Sequence, residues 1–289
     1  MAIWQLLVEG RPRLGRGPVG DGPAELLDAG ATIDGVLGGD PGALEALLGA
    51  PAVGPVPGGA QPLAPVGSQP VWAAGVTFLR SRDARLEESE GLDAYDKVYL
   101  AERPELFLKA LPGTARGPGQ PIGVRADSHW DVPEPELALV VDRRGRIAGY
   151  TIGDDVSSRS IEGENPLYLP QAKLYQGSCA LGPCLVPVGE APDPAEMEIA
   201  LSIERDGAEL FADRCSVADM KRSLPELVDW LWRGQDLPRG AVLLTGTSIV
   251  PPPDLTLRPG DQVTIAITGL GRLTNPVELI DISGPAATG

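Results

Sequence analysis

The sequence predicts an α+β fold with a strand-dominated core. The apolar runs are short and regularly punctuated by turn residues. Glycine (37) and proline (30) are frequent without reaching low-complexity levels. Hydrophobic residues make up 43% of the 289 positions, enough to fill a core. No internal repeat stands out.

Residues 1–69 read as a small N-terminal α+β domain, and residues 70–289 as the larger domain. Residues 4–8 suit a strand, and residues 24–29 and 42–48 suit short helices. Residues 50–70 form a Pro/Gly-rich connection, either a mobile linker or a packed loop. At Val71-Trp72-Ala73-Ala74-Gly75-Val76 the texture changes to a buried strand. Residues 81–90 are polar and suit an exposed helix with i,i+4 charge pairs. Residues 104–109 suit a short strand. Residues 137–141 and 147–152 flank Asp142-Arg143-Arg144-Gly145-Arg146 and read as a β-hairpin. Residues 182–187, 198–204, 242–247 and 259–265 carry further strand signals. Residues 223–233 place Leu224, Leu227, Val228 and Leu231 at helical spacing.

Composition excludes several classes of function. A formal net charge of −16 argues against nucleic acids and anionic membrane surfaces, which require basic patches. Three cysteines without CxxC spacing and a single histidine argue against a Cys/His zinc site. The sparse cysteines fit a reducing compartment. The N-terminus lacks a basic region and a long apolar core, and no apolar run approaches the ~20 residues of a membrane span. The expectation is a soluble cytoplasmic protein.

The chemistry lies in three carboxylates, Glu134, Glu136 and Asp155. Residues 134 and 136 share one face of a strand. A turn centred on Arg144-Gly145 sets Gly153 opposite Glu136 and Asp155 opposite Glu134. Three anions that close repel by roughly 3 kcal/mol per pair at an effective dielectric near 20, so the cluster needs a cation or a proton. Oxygen-only ligands favour Mg²⁺, Mn²⁺ or Ca²⁺. Half of an octahedron is then left for a chelating substrate such as a 2-oxo acid. The alternative is a strand with solvent-facing glutamates.

Lys173 would neutralise a developing oxyanion or hold a carboxylate, unless it is merely solvated. Glu105, beside Pro104 and an apolar run, would serve acid–base work; the alternative is an edge-strand charge. Thr245-Gly246-Thr247 offers donors to an anion, or is a simple β-turn. His129, next to Trp130, reads as a packed or surface residue. The cysteines read as small core residues.

Several motifs together resemble the fumarylacetoacetate hydrolase family. These are Pro133-Glu134-Pro135-Glu136, Gly149-Tyr150-Thr151-Ile152-Gly153-Asp154-Asp155-Val156-Ser157-Ser158-Arg159, Lys173, Leu181-Gly182-Pro183, Thr245-Gly246-Thr247, Pro259-Gly260-Asp261 and Thr274-Asn275-Pro276-Val277. They span roughly residues 71–280. The resemblance implies a mixed β-sandwich roll that binds a divalent metal, usually Mg²⁺, through Glu134, Glu136 and Asp155, with Lys173 beside it. It also implies a homo-dimer or homo-tetramer. Asp154 stands where the family has asparagine.

Family members act on 2-oxo or β-diketo acids as hydrolases, decarboxylases, isomerases or dehydratases, so the fold alone leaves the reaction open. The hydrolases carry a His-Glu pair in a lid, where this chain has Ser81 and Ala84. Around Gly75-Val76-Thr77-Phe78, residues 95–109 and residues 161–173, the chain is similar to the 2-keto-3-deoxy-D-arabinonate dehydratase branch. The acid–base glutamate of that branch aligns with Glu105. The resemblance therefore implies a Mg²⁺-dependent dehydratase of a 2-keto-3-deoxy sugar acid. In it Thr247 would bind the acid end and Arg159 would brace the site. The rival readings are a C–C bond hydrolase of a diketo acid, which would have to use His129, and a non-catalytic metal-binding protein.

Overall fold

The structure is a computed structural model and describes residues 1–40, 42–80 and 94–282. The N-terminal part holds β1 (Ala2–Val8), β2 (Arg11–Gly17), β3 (Glu25–Leu26), α1 (Ile33–Leu37), α2 (Ala43–Gly49), β4 (Gly54–Pro55) and β5 (Gln61–Leu63). The middle holds β6 (Val71–Gly75), α3 (Ala94–Leu100), β7 (Glu105–Ala110), β8 (Ile122–Arg125), β9 (Asp131–Val132), β10 (Pro135–Val141), β11 (Ile147–Asp155) and β12 (Ser157–Ser158). The remainder holds α4 (Arg159–Glu164), α5 (Leu169–Lys173), β13 (Cys179–Pro187), β14 (Glu198–Arg205), β15 (Ala208–Ser216), α6 (Leu224–Trp232), β16 (Ala241–Leu244), β17 (Gln262–Ile267) and β18 (Gly271–Ile280).

Two sheets result. The larger has 11 strands in the path β4-β3-β2-β1-β13-β11-β10-β16-β6-β7, with β5 paired to β1. The smaller has five, β15-β14-β17-β18-β8. Both are mixed, because β16 runs parallel to β6 and β18 parallel to β8. The sheets meet where β10 lies on β14, β11 on β17 and β13 on β18. Leu137, Leu139 and Val141 of β10 enter this interface with Ile199, Leu201, Val263 and Ile265. Ala138 and Val140 enter a second cluster with Ile3, Ile33 and Leu37. Strand β10 is therefore buried on both faces, which is why it reads as an unbroken apolar run.

The hairpin pairs Glu136 with Gly153 and Leu139 with Tyr150, the register expected from a turn at Arg144-Gly145. A bulge between Val140 and Val141 confines the one irregularity to the turn end. There Gly145 takes φ +73°, and Asp142 Oδ1 accepts from the Arg144 amide at 2.8 Å. Helix α6 forms as its spacing requires, with Ser223 accepting from the Glu226 amide and Leu227, Val228 and Leu231 buried.

One expectation changes. Residues 24–29 are not helical. Leu26 pairs with Gly15 and Gly54, so the sheet satisfies the backbone groups a helix would have used. Residues 50–70 are a packed connection containing β4 and β5. The helix expected over residues 81–90 lies outside the described residues. Residues 1–69 extend the large sheet, since β1 bonds to β13 through Ile3 and Leu185.

Gly149 packs at the close approach of β11 to β13. A Cβ there would lie 2.4 Å from the Val186 carbonyl oxygen, a backbone atom with little room to yield. Gly149→Ala is expected to lower unfolding free energy by about 1–3 kcal/mol in urea titration. An unchanged midpoint would mean that the two strands separate freely at this point.

Candidate active site

The end of the β10–β11 hairpin brings three acids together. One oxygen from each of Glu134, Glu136 and Asp155 lies within 4.8 Å of the others. All three are buried, at 5%, 1% and 1% exposure. The ladder explains the gathering. Glu136 faces Gly153 across the strands, and the Asp155 amide donates to the Glu134 carbonyl at 2.9 Å. The side chains of residues 134 and 136 fall on one side because strand residues alternate.

Cations and amides surround the cluster. The Lys173 ammonium, at the end of α5, donates to Glu134 Oε2 at 2.7 Å, to Asp155 Oδ2 at 3.1 Å and to Ser157 Oγ at 2.5 Å. Arg159 Nη2 lies 3.0 Å from Glu134 Oε1. The Gly246 amide donates to Glu136 Oε2 at 2.5 Å. Lys109 Nζ, fully buried, sits 2.6 Å from Asp155 Oδ1. It also donates to the carbonyls of Val156 (2.9 Å) and Lys173 (2.5 Å).

Burial, and then the charges of Asp155 and Glu134, push the Glu136 carboxyl well above the usual range. Asp154 is pushed up to about 8, first by burial and then by Asp155. It accepts from the Glu134 amide at 3.2 Å, a bond the family asparagine would also make through its carbonyl oxygen. Three buried acids with only oxygen donors, one of them resisting ionisation, fit a hard divalent cation.

A cavity of about 30 Å³ opens on this cluster. Glu105, Phe107, Lys173, Arg159, Glu162, Gly246 and Thr247 line it together with the three acids. Glu105 begins β7 and pairs with Gly75. A Cβ on Gly75 would lie 2.1 Å from Glu105 Oε2, so the missing side chain makes room for that carboxylate. Thr247 follows a turn fixed from two sides. Thr77 Oγ1 donates to the Thr245 carbonyl at 2.6 Å, and Thr245 Oγ1 donates to the Leu137 carbonyl at 2.9 Å. Gly246 has φ +89°, and a Cβ there would strike Thr77 Oγ1 at 2.0 Å. A larger cavity of about 630 Å³ lies elsewhere, lined by Gln5, Arg116 and Tyr175 among others. No carboxylate lines it among the described residues, whereas the acidic cluster lines the smaller one.

All seven residues singled out in the sequence, Glu105, Glu134, Glu136, Asp155, Arg159, Lys173 and Thr247, border this one cavity. His129 is exposed and is not among them; its amide donates to Ser160 Oγ at 3.3 Å. Burial raises all three thiols, Cys184 to about 12, which keeps them protonated and inert. Ser81 and Ala84 lie outside the described residues. Sequence reasoning missed Lys109 and Glu162. Lys109 has a usable signal, because Glu105, Phe107 and Lys109 alternate along β7 and so share a face.

Glu136 gives a direct test of the cation. Its folded pKa lies above its unfolded value, so metal-free protein should lose stability as pH rises from about 4.5 through that raised value. Glu136→Gln is expected to lessen this loss, leaving the part that Asp154 contributes up to about pH 8. It should also abolish the rise in unfolding free energy that a divalent cation gives the wild type, about 2.7 kcal/mol at 100 times its Kd. Thermal scans with and without Mg²⁺ across pH check both. An undiminished Mg²⁺ effect in the variant would exclude Glu136 as a ligand.

The comparisons with known proteins agree with this chemistry. Residues 85–278 match the fumarylacetoacetate hydrolase C-terminal family. A probable 2-keto-3-deoxyxylonate dehydratase of Haloferax volcanii is 53% identical over 216 residues, covering 75% of this chain and 74% of that protein. A 2-dehydro-3-deoxy-D-arabinonate dehydratase of Saccharolobus solfataricus is 44% identical over 218 residues, covering 74% and 73%. A solved 2-keto-3-deoxy-D-arabinonate dehydratase, complexed with magnesium and 2,5-dioxopentanoate, superposes with a TM-score of 0.83 at 33% identity, covering 97% of this chain and 99% of that one. From matched sequence, matched fold and a metal-ready acidic cluster alike, the chain belongs to the fumarylacetoacetate hydrolase family.

Proposed function

We infer that the protein is a Mg²⁺-dependent dehydratase that converts a 2-keto-3-deoxy-pentonate to 2,5-dioxopentanoate. The observation that carries this is the likeness, at 53% and 44% identity, to two such dehydratases, in a chain whose buried oxygen triad fits the metal. The solved neighbour holding magnesium and 2,5-dioxopentanoate supports both cofactor and product.

Bound at Glu134, Glu136 and Asp155, Mg²⁺ supplies a Lewis acid that anchors the 2-oxo acid end and makes the C3 hydrogens acidic. On our reading Glu105 takes a C3 proton, from a position that Gly75 leaves open. Lys173 offsets negative charge that develops beside it. Thr247 holds the acid end, and Arg159 braces Glu134 at 3.0 Å. A homo-dimer or homo-tetramer, a cytoplasmic setting and a domain division at 69/70 belong to the same proposal. The oligomer rests on the family resemblance. No helix among the described residues is long and apolar enough to cross a membrane.

The hydrolase alternative would rest on His129, which is exposed and does not line the cavity. The test is an NMR time course with Mg²⁺ and 2-keto-3-deoxy-D-arabinonate, with EDTA as control. EDTA-sensitive appearance of 2,5-dioxopentanoate is expected. Glu105→Gln should reduce turnover about 10²–10⁴-fold with Mg²⁺ binding retained, and His129→Ala should leave turnover unchanged. Cleavage of an acylpyruvate with no dehydration would move the protein to the hydrolases. Full activity in Glu105→Gln would remove Glu105 from the mechanism.

A further inference from the structure

Two acids outside the metal cluster line the cavity among the described residues, Glu105 and Glu162. They come from different elements, Glu105 from β7 and Glu162 from α4. Helix α4 is held in place. Ser158 Oγ accepts from the Ile161 amide at 3.3 Å, and the Trp130 carbonyl accepts from the Arg159 amide at 2.8 Å. Residues 159 and 162 are three apart and share a helix face. That face is turned to the metal ligands, because Arg159 Nη2 reaches Glu134 Oε1 at 3.0 Å. Glu162 is only 5% exposed, so its carboxyl is committed to the interior.

The reaction has work for more than one proton-handling group. Going from a 2-keto-3-deoxy-pentonate to 2,5-dioxopentanoate moves protons at C3, at the C4 hydroxyl, at C5 and back onto C3 and C4. One carboxylate reaches a C3 hydrogen and the vicinal C4 oxygen when the two are syn, but the reaction also moves protons at C5, two bonds from C3, where a second carboxyl on a different element shares the work.

We propose that Glu162 is the second proton-handling residue of the site, serving the hydroxyl-bearing C4–C5 end of the substrate while Glu105 serves C3. This rests on the dehydratase reading above. Glu105 takes a C3 proton, and the C–H electron pair forms the C3=C4 bond as the C4–O bond breaks. The Glu162 proton leaves with the hydroxyl as water. Ionised Glu162 then takes a C5 proton, C4=C5 forms, and Glu105 returns its proton to C3. The resulting C5 enol gives its O–H proton up and receives one at C4 through Glu162, leaving the aldehyde. One water is lost, C4 is reduced as C5 is oxidised, and both carboxyls end as they began. No external oxidant is needed.

The test separates the two ends of the substrate. 2-Oxopentanoate can lose a C3 proton but has no hydroxyl to eliminate, so its C3 exchange in D₂O with Mg²⁺ reads Glu105 alone. Glu162→Gln is expected to exchange C3 within about threefold of wild type, yet to dehydrate 2-keto-3-deoxy-D-arabinonate at least ~100-fold more slowly. Its Mg²⁺ affinity, by calorimetry, should be unchanged, and the retained exchange also reports that the variant is folded. Dehydration near the wild-type rate, or equal loss of exchange and dehydration, would overturn the role of Glu162. If the wild-type protein forms no 2,5-dioxopentanoate, the dehydratase reading itself falls and takes this assignment with it.

Discussion

Like charges within 4.8 Å of one another repel by at least about 3.5 kcal/mol per pair at an effective dielectric near 20, and this site buries three carboxyls that close. Much of the surrounding structure answers that cost. The β10–β11 register sets the separation, because Glu134 and Glu136 share a strand face and Asp155 ends the partner strand. Lys173 approaches two of the carboxylates within hydrogen-bonding distance, and Arg159, Lys109 and the Gly246 amide one each. Glu136 still resists ionisation, so the cluster demands either a proton there or a further cation. The interleaved core clusters on either side of β10 keep water out and the ladder rigid, so that demand cannot relax by strand movement.

Lys109 occupies a distinct place in this arrangement. One ammonium joins Asp155 of the acidic cluster, the chain leaving β11 at Val156 and the backbone of Lys173. It also lies on β7, four residues from Glu105. Strand β7 therefore fixes both an acid in the cavity and the orientation of a carboxylate of the acidic cluster, the way outer groups orient the ligands of a metal site.

The hairpin was readable in the sequence because its information is local. Alternation assigned the faces of Glu134 and Glu136, and Gly145 assigned the turn. The bulge did no harm, since the register shift falls at Val141 and leaves the Glu136–Gly153 pairing intact. Helix α6 was readable for the same reason, having three apolar residues on one face and a serine cap. Residues 24–29 were misread because Leu26 and Leu27 in so short a segment fit either period, and β2 and β4 decided the outcome from elsewhere. Glu162 escaped notice because nothing near it marks a role, and Lys109 because its alternation with Glu105 gives a face but no partner. Lys109 meets Asp155 across 46 positions, and Glu162 lies in a helix of only six residues, too short for a periodic signal. The fold positions these groups, while the reaction depends on which side chains border the cavity.

The central claim is that Glu134, Glu136 and Asp155 together hold one divalent cation. The most direct measurement is the anomalous difference map of a crystal soaked in Mn²⁺, an ion that such oxygen ligands also accept. The account requires a single strong peak in contact with one oxygen from each of the three carboxylates. A peak anywhere else, or none at saturating Mn²⁺, would contradict it.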